Sequence, residues 1–263
     1  MIDIGLVALT IVAYLVAAAW QLRFAPQNKG RLSKRSALLG VIAVLLHASV
    51  MGAQVSSQTT SALSLVDASS LAFLMTNIAT LVLLALRPLQ TLLIGLFPLS
   101  ALAVLIAAIG PDTASPLALQ PGTIVHIAGS LAANALLAMA AMQAIIVSIQ
   151  DRRLRAHNNL GLTQWLPPLQ KMERLLFELL LIGFLLLSFS ILSGFLFLND
   201  MLAQHVAHKT VFTILAWLIY ASLLWGHHYL GWRSRSAVKL TLIGFALILL
   251  AYYGSKLVLE WIL

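Results

Sequence analysis

The stretch LFELLLIGFLLLSFSILSGFLF, residues 176–197, decides the fold of this chain. It contains a single charged side chain, that of Glu178. An α-helix needs about 20 consecutive apolar residues to cross the hydrocarbon core of a bilayer. Only helices and closed β-barrels satisfy every backbone hydrogen bond inside a membrane, and this run is too long and continuous for a barrel strand. The stretch therefore predicts a transmembrane helix.

Seven further runs have the same character, and together they dominate the chain. Of its 263 residues, 61% are hydrophobic and 9% are charged, whereas about a quarter of the residues of a soluble domain are charged. No soluble stretch is long enough to form a domain of its own. We therefore expect residues 1–263 to form one integral-membrane domain, an all-α polytopic bundle of eight transmembrane helices. The predicted spans are 2–22, 37–55, 68–86, 89–109, 122–149, 176–197, 209–226 and 238–259.

The basic residues lie in alternate connections between these runs. Of the 16 lysines and arginines, 14 fall in or at the edge of the connections after the first, third, fifth and seventh runs, and the exceptions are Lys209 and Lys256. The intervening connections, 56–67, 110–121 and 198–208, each carry an aspartate. Positive charge near membrane spans stays in the cytoplasm. The pattern thus predicts that both termini lie on the outer, periplasmic side.

Composition also excludes several classes of protein. The sequence pI is about 10.2, a value that can indicate a nucleic-acid-binding protein. Here the basic residues lie in short loops between apolar runs, where membrane topology and attraction to anionic lipid headgroups explain them better. We therefore expect the lipid bilayer as partner and no nucleic acid. The chain has no cysteine, which excludes disulfides and covalent haem attachment within it. It contains no P-loop, HExxH or GxSxG motif, so nothing supports a membrane enzyme.

The histidines are the candidate ligands. His47 lies within the second run, His126 at the outer start of the fifth, and His205 and His208 in or beside the last outer connection. The other three fall in cytoplasmic loops: His157, His227 and His228. A neutral imidazole is a common metal ligand and a standard axial ligand of haem iron. The alternative, a hydrogen-bonded polar group in a packed bundle, remains open for each of them.

Other polar groups within or beside the spans have two interpretations as well. Lys209 and Lys256 contradict the charge bias, either as interfacial anchors or as partners of an anion such as a haem propionate. The amides of Asn77, Asn134 and Gln143 are expected to form hydrogen bonds between helices.

Three separated segments resemble the cytochrome c assembly proteins, the group with CcsA-, CcmC- and HemX-like members. The segments are HIAGSLAANALLAMAA at 126–141, LPPLQKMERL at 166–175 and HKTVFTILAW at 208–217. The similarity is greatest to the small YpjD-type inner-membrane branch of this group. The resemblance implies a multi-pass protein of the bacterial inner membrane that handles haem at the outer face.

The resemblance also implies site residues and a role. His47, His126 and His208 are implied as axial ligands, with haem iron held by His126 and His208, and the cofactor is haem b. Lys209 and Lys256 are the candidate partners of the haem propionates. The group's tryptophan-rich outer loop has no counterpart, because residues 198–208 read LNDMLAQHVAH.

The expected role is therefore an accessory one in cytochrome c biogenesis, or modulation of haem biosynthesis, in contact with other proteins of those processes. Catalysis is not expected. Two alternatives remain open: a transporter or exporter of a small solute or cation that has lost haem binding, and a membrane assembly chaperone.

The orientation can be tested with a compartment-sensitive reporter. A reporter that is active only outside the cytoplasm, fused after Leu263, is expected to be active, because eight spans return the chain to its starting side. The same reporter fused after Arg155 should be inactive. Activity at Arg155 and none at Leu263 would contradict the predicted orientation.

Overall fold

The computed structural model describes residues 4–25, 32–57, 62–63, 65–110, 115–116, 121–156, 166–197 and 207–261. The described part is almost entirely helical. Its helices are α1 (Ile4–Phe24), α2 (Lys34–Ser57), α3 (Leu65–Leu83), α4 (Leu93–Ile109), α5 (Pro121–Arg155), α6 (Leu169–Phe197), α7 (Ala207–Leu230) and α8 (Ser234–Trp261). Two short strands, β1 (Ala62–Leu63) and β2 (Ser115–Pro116), complete it.

Each predicted span corresponds to one helix, which confirms the all-α class. Within the described residues, seven helices are long and apolar enough to cross a membrane, and α4 is shorter, at 17 residues. That length is at the lower limit for a span. The eight-span count for α4 therefore stays a prediction.

Some helix boundaries differ from the predicted spans. α5 continues to Arg155, and α6 already begins at Leu169. The length of an apolar run gives only the part of a helix that lies in hydrocarbon. The helix itself can continue into the polar residues on either side. An ion pair between Arg155 Nε and Asp151 Oδ2, 3.1 Å long and spaced i,i+4, supports the last turn of α5. α3 instead ends early, at Leu83, and Pro88 disfavours helical backbone at the residue before it.

The chain divides into two compact units. The first contains residues 1–119 and 157–167, and the second contains residues 120–156 and 168–263. Helices α1–α4 belong to the first unit and α5–α8 to the second. The single integral-membrane domain expected from the sequence stays a prediction.

In the first unit, α1 and α4 enclose a core with α2 and α3. Tyr14, Ala43 and Phe97 are fully buried there. A Cβ atom built on Gly40 would lie 2.7 Å from Phe97 Cζ, so a small residue is needed where α2 passes this ring. β1 and β2 pair antiparallel, with Ala62 opposite Pro116. The pair joins the α2–α3 and α4–α5 connections at one end of the unit, as alternating spans require.

The second unit is built on close contact between α5 and α6. Gly183 of α6 lies against Leu137 of α5, with 2.8 Å from a built Cβ to Leu137 Cδ2. Gly129 lies similarly against Phe189, at 3.0 Å. Helices in lipid associate through such close packing at small residues, since lipid tails are as apolar as leucine. α7 and α8 form a hairpin, and α8 also packs on α5.

A substitution at Gly183 tests the α5–α6 contact. Replacing Gly183 by Leu should destabilise the protein by about 1–3 kcal/mol through overpacking, seen as a lower Tm in detergent. Gly52→Ala is the matched control. Nothing lies within 4 Å of its built Cβ, so the Ala variant should be neutral or gain up to about 1 kcal/mol from helix propensity. Equal Tm values for the two variants would contradict the contact.

Candidate functional site

His126, in the second turn of α5, is held by the backbone of α6. Its Nδ1 lies 2.9 Å from the carbonyl oxygen of Ser190 and 3.3 Å from Ser193 Oγ. A carbonyl oxygen only accepts hydrogen bonds, so Nδ1 carries the proton and donates it. In a neutral imidazole the other nitrogen, Nε2, then keeps its lone pair. Metal-binding histidines in proteins are typically oriented in this way, with the second ring nitrogen donating to a carbonyl or carboxylate.

Serine hydroxyl groups lie around this ring and leave the lone pair of Nε2 available. Ser130 Oγ donates to the carbonyl oxygen of His126 at 2.8 Å and lies 2.6 Å from Ser190 Oγ, but 3.5 Å from His126 Nε2. A serine has one hydroxyl proton. The shorter distance favours donation of that proton to the backbone carbonyl over the 3.5 Å contact to Nε2, and Ser190 then supplies the proton of the hydroxyl pair. His126 is thus fixed in orientation and retains an acceptor nitrogen.

His208, in the first turn of α7, also keeps an unused ring nitrogen. Its Nε2 is buried and has no hydrogen-bond partner among the described residues. A buried polar atom without a partner is costly and needs an explanation, such as an unseen water, ion or ligand. The neighbouring Lys209 is exposed.

Contacts of α6 place these two histidines near the same end of the second unit. His126 bonds to α6 at Ser190 and Ser193, whereas Trp217 Nε1 of α7 donates to Ser188 Oγ at 2.8 Å. Successive spanning helices run antiparallel, so His208, nine residues before Trp217, lies level with position 197 of α6. This position is about 6 Å from Ser193 along the helix axis.

His47 has a different environment, in the first unit. The ring is fully buried, its Nδ1 lies 3.1 Å from the Tyr14 hydroxyl, and its Nε2 lies 2.8 Å from Ser70 Oγ. Tyr14 also contacts Phe97, with ring centroids 5.4 Å apart. His47 therefore connects α1, α2 and α3, and both of its nitrogens already have partners.

Two further polar pairs connect α3 to its neighbours, one to α2 and one to α4. Gln54 Nε2 donates to Asp67 Oδ1 at 3.3 Å, and Asn77 Nδ2 donates to Ser100 Oγ at 2.6 Å. The placement of Asp67 in an outer loop was wrong, because it lies buried in the first turn of α3, where the helix dipole favours an anion. The expected bonding of amides between helices is confirmed for Asn77 and for Gln143, which donates to the carbonyl oxygen of Met172 at 3.1 Å.

The remaining candidates are placed less fully. Lys256 belongs to α8, but its side chain lies outside the described residues, as does all of His205. His227 and His228 lie in the last turn of α7, not in a loop as predicted, because helical hydrogen bonding extends past the apolar run. Among the described residues, no three His, Asp or Glu side chains gather as a metal site would require.

Comparison with known proteins agrees with the arrangement of these helices and motifs. The family described as cytochrome C assembly protein matches residues 35–263. The chain belongs to this family. The inner membrane protein YpjD of Escherichia coli K12 is 31% identical over 257 residues, 97% of each chain. The cytochrome c biogenesis protein CcsA of Prochlorococcus marinus is 29% identical over 87 residues, 32% of this chain and 28% of its own. No solved structure matches the chain.

Family membership confirms the resemblance found in the sequence. Together with the seven spanning helices, it makes this chain a multi-pass inner-membrane protein with a haem-related role in biogenesis. Three serines around His126 were not predicted from the sequence: Ser130, Ser190 and Ser193. Ser130 lies at i+4 from the histidine and so could have been found by helical spacing. The two serines of α6 are distant in sequence and only packing brings them near.

Removing the Tyr14 hydroxyl tests the network around His47. Tyr14→Phe leaves His47 Nδ1 without its partner and should cost about 0.5–2 kcal/mol of stability, seen as a lower Tm in detergent. Tyr220→Phe is the matched control, since Tyr220 is equally buried but its hydroxyl makes a long 3.4 Å bond to the carbonyl oxygen of Thr241. An equal loss in both variants would contradict a specific Tyr14–His47 contribution.

Proposed function

We propose that this chain is a haem-handling protein of the cytochrome c assembly family that binds haem through His126 and His208 in its second unit. The observation that carries the proposal is the hydrogen bond from His126 Nδ1 to the Ser190 carbonyl oxygen, 2.9 Å long. It fixes the tautomer whose Nε2 can donate a lone pair to iron.

The chemistry of His208 supports the same ligand. Its buried Nε2 has no partner among the described residues, and coordination of iron would remove this cost. Both histidines lie near the α6 C-terminus, one on α5 and one on α7. Axial ligation of haem by two histidines needs two such nitrogens facing one iron, and α5 and α7 each pack on α6. The chain has no cysteine, so the haem would be held without covalent attachment, as in b-type haem.

The first unit offers a weaker candidate. His47 Nε2 could bind iron only if its 2.8 Å contact to Ser70 Oγ were broken. In hydrocarbon, the displaced hydroxyl would need a new partner. We therefore assign His126 and His208 as the haem ligands and assign His47 to the stability of the first unit.

The exposed Lys209 completes the proposed site. A haem ligated by His208 carries two propionates, and an ammonium one residue away from the ligand can pair with one of them. Lys256 is a second candidate for this role from its position on α8. The bias of basic residues supports an outer location for all these groups, since His126, His208 and Lys209 belong to the side that is poor in other cations.

The proposed role is an accessory one. The connection 198–208 has no tryptophan, so presentation of haem to an acceptor protein is assigned to partners in cytochrome c assembly or haem biosynthesis. The chain would hold haem as cargo or as a signal of haem supply, and its own residues would bind and orient it.

Titration with hemin tests this proposal. The purified protein in mild detergent should develop a Soret band with hemin, and His126→Ala or His208→Ala should weaken haem binding about tenfold or more by removing an axial ligand. His228→Ala is the matched control, because this histidine is exposed at the opposite end of α7 and should leave the band unchanged.

A further variant separates the two units. His47→Ala should lower the Tm and keep the Soret band. Loss of the band in His47→Ala, in a variant with unchanged helical circular dichroism, would move the site to the first unit. A folded protein that takes up no hemin would overturn the proposed function.

A further inference from the structure

The turn between α7 and α8 is a rigid elbow, defined here as residues 225–239. Gly231 adopts a positive φ of 67°, which favours glycine, and the backbone N–H of Trp232 donates back to the Gly226 carbonyl oxygen at 3.1 Å. The indole of Trp232 lies directly against Gly226, so a side chain at this position would collide with the indole ring.

His227 fixes the elbow from a second direction. Its Nδ1 donates to the carbonyl oxygen of Trp232 at 2.9 Å. Its ring stacks on Phe177 of α6 with centroids 3.4 Å apart and planes within 13°. The backbone that leads into α8 is therefore held by both backbone and side-chain contacts.

The elbow carries exposed cations, and its own stretch of sequence, residues 225–239, contains no acidic residue. Arg233, Arg235 and Lys239 are exposed, and the first turn of α8 has no acidic residue. Three like charges so close together repel one another and attract a polyvalent anion.

The elbow also carries exposed aromatic and apolar side chains. Trp225 is 57% exposed and Tyr229 is 70% exposed, one turn apart on α7, with ring centroids 5.7 Å apart. On α8, Ile243 is 39% exposed and follows Lys239 by four residues, hence on the same helix face. Tryptophan and tyrosine with one apolar and one polar edge are typical of the membrane interface.

We propose that this elbow is a binding site for an anionic phospholipid. The phosphate would be held by Arg235 and Lys239, which lie on one face of α8, with Arg233 adjacent. The acyl chains would run along Ile243, and the aromatic pair would lie in the membrane interface at the end of α7. A soluble phosphate would use only the cations, and an acidic protein would not need an exposed apolar side chain such as Ile243 in line with them. Clusters of basic residues at the end of membrane spans bind anionic headgroups.

The test measures lipid binding to the delipidated full-length protein by native mass spectrometry. Phosphatidylglycerol should bind in preference to phosphatidylcholine, and Arg235→Gln/Lys239→Gln should weaken phosphatidylglycerol binding about tenfold or more. The control Arg152→Gln/Arg153→Gln removes the same charge from the end of α5, where no exposed aromatic pair is described, and should change binding less than twofold. The charge-preserving pair Arg235→Lys/Lys239→Arg should bind as the wild type does.

Three outcomes would overturn the site. Equal losses in the two Gln pairs would show a diffuse effect of net charge. Competition by millimolar inorganic phosphate would show a free-anion site. Tight binding of polyglutamate together with no preference for phosphatidylglycerol would show a protein-docking surface. Helical circular dichroism of each variant verifies that a loss does not come from unfolding, and hemin binding should be unchanged throughout.

Discussion

In the hydrocarbon region a polar group without a partner within the protein is costly, and this constraint shapes both units. Unsatisfied groups cost several kcal/mol in lipid, so each buried side chain that bonds across helices also fixes how they pack. In the first unit, His47 uses both ring nitrogens, on Tyr14 and Ser70. In the second, His126 uses one, on the Ser190 carbonyl oxygen. The same residue type thus becomes a link between helices in one unit and a candidate ligand in the other.

Small residues let the helices come close enough to form these hydrogen bonds. Gly183 and Gly129 let α5 and α6 approach until side chains of one helix touch the other. That approach brings Ser190 within 2.9 Å of His126 Nδ1. A bulky residue at either glycine would separate the helices and lengthen the bond that fixes the tautomer. The chemistry of the proposed site therefore depends on packing at Gly129 beside it and at Gly183, about two turns further along α6.

The two ends of the second unit differ in charge and in the polar groups that they carry. One end carries the histidine nitrogens that retain lone pairs, and few cations. The opposite end carries the rigid elbow of residues 225–239, which has cations and contains no acidic residue. The cost of like charges at the elbow is tolerable at a membrane surface, where anionic headgroups and water screen them. Within hydrocarbon the same cations would be excluded.

The sequence by itself determined the class of the protein, the positions of its helices and its family. These follow from apolar run length, since about 20 residues match the bilayer, and from local motifs such as residues 126–141. It also identified His126 and His208. The sequence could not distinguish these two histidines from His47. Whether a ring nitrogen keeps a free lone pair depends on partners that lie 23 to 67 residues away in the chain. Nor could it find Ser190 and Ser193, or the burial of Asp67. Only the tertiary structure decided which nitrogens are already bonded, since that depends on which helix faces meet, and hydrophobic periodicity is uninformative when lipid and core are equally apolar.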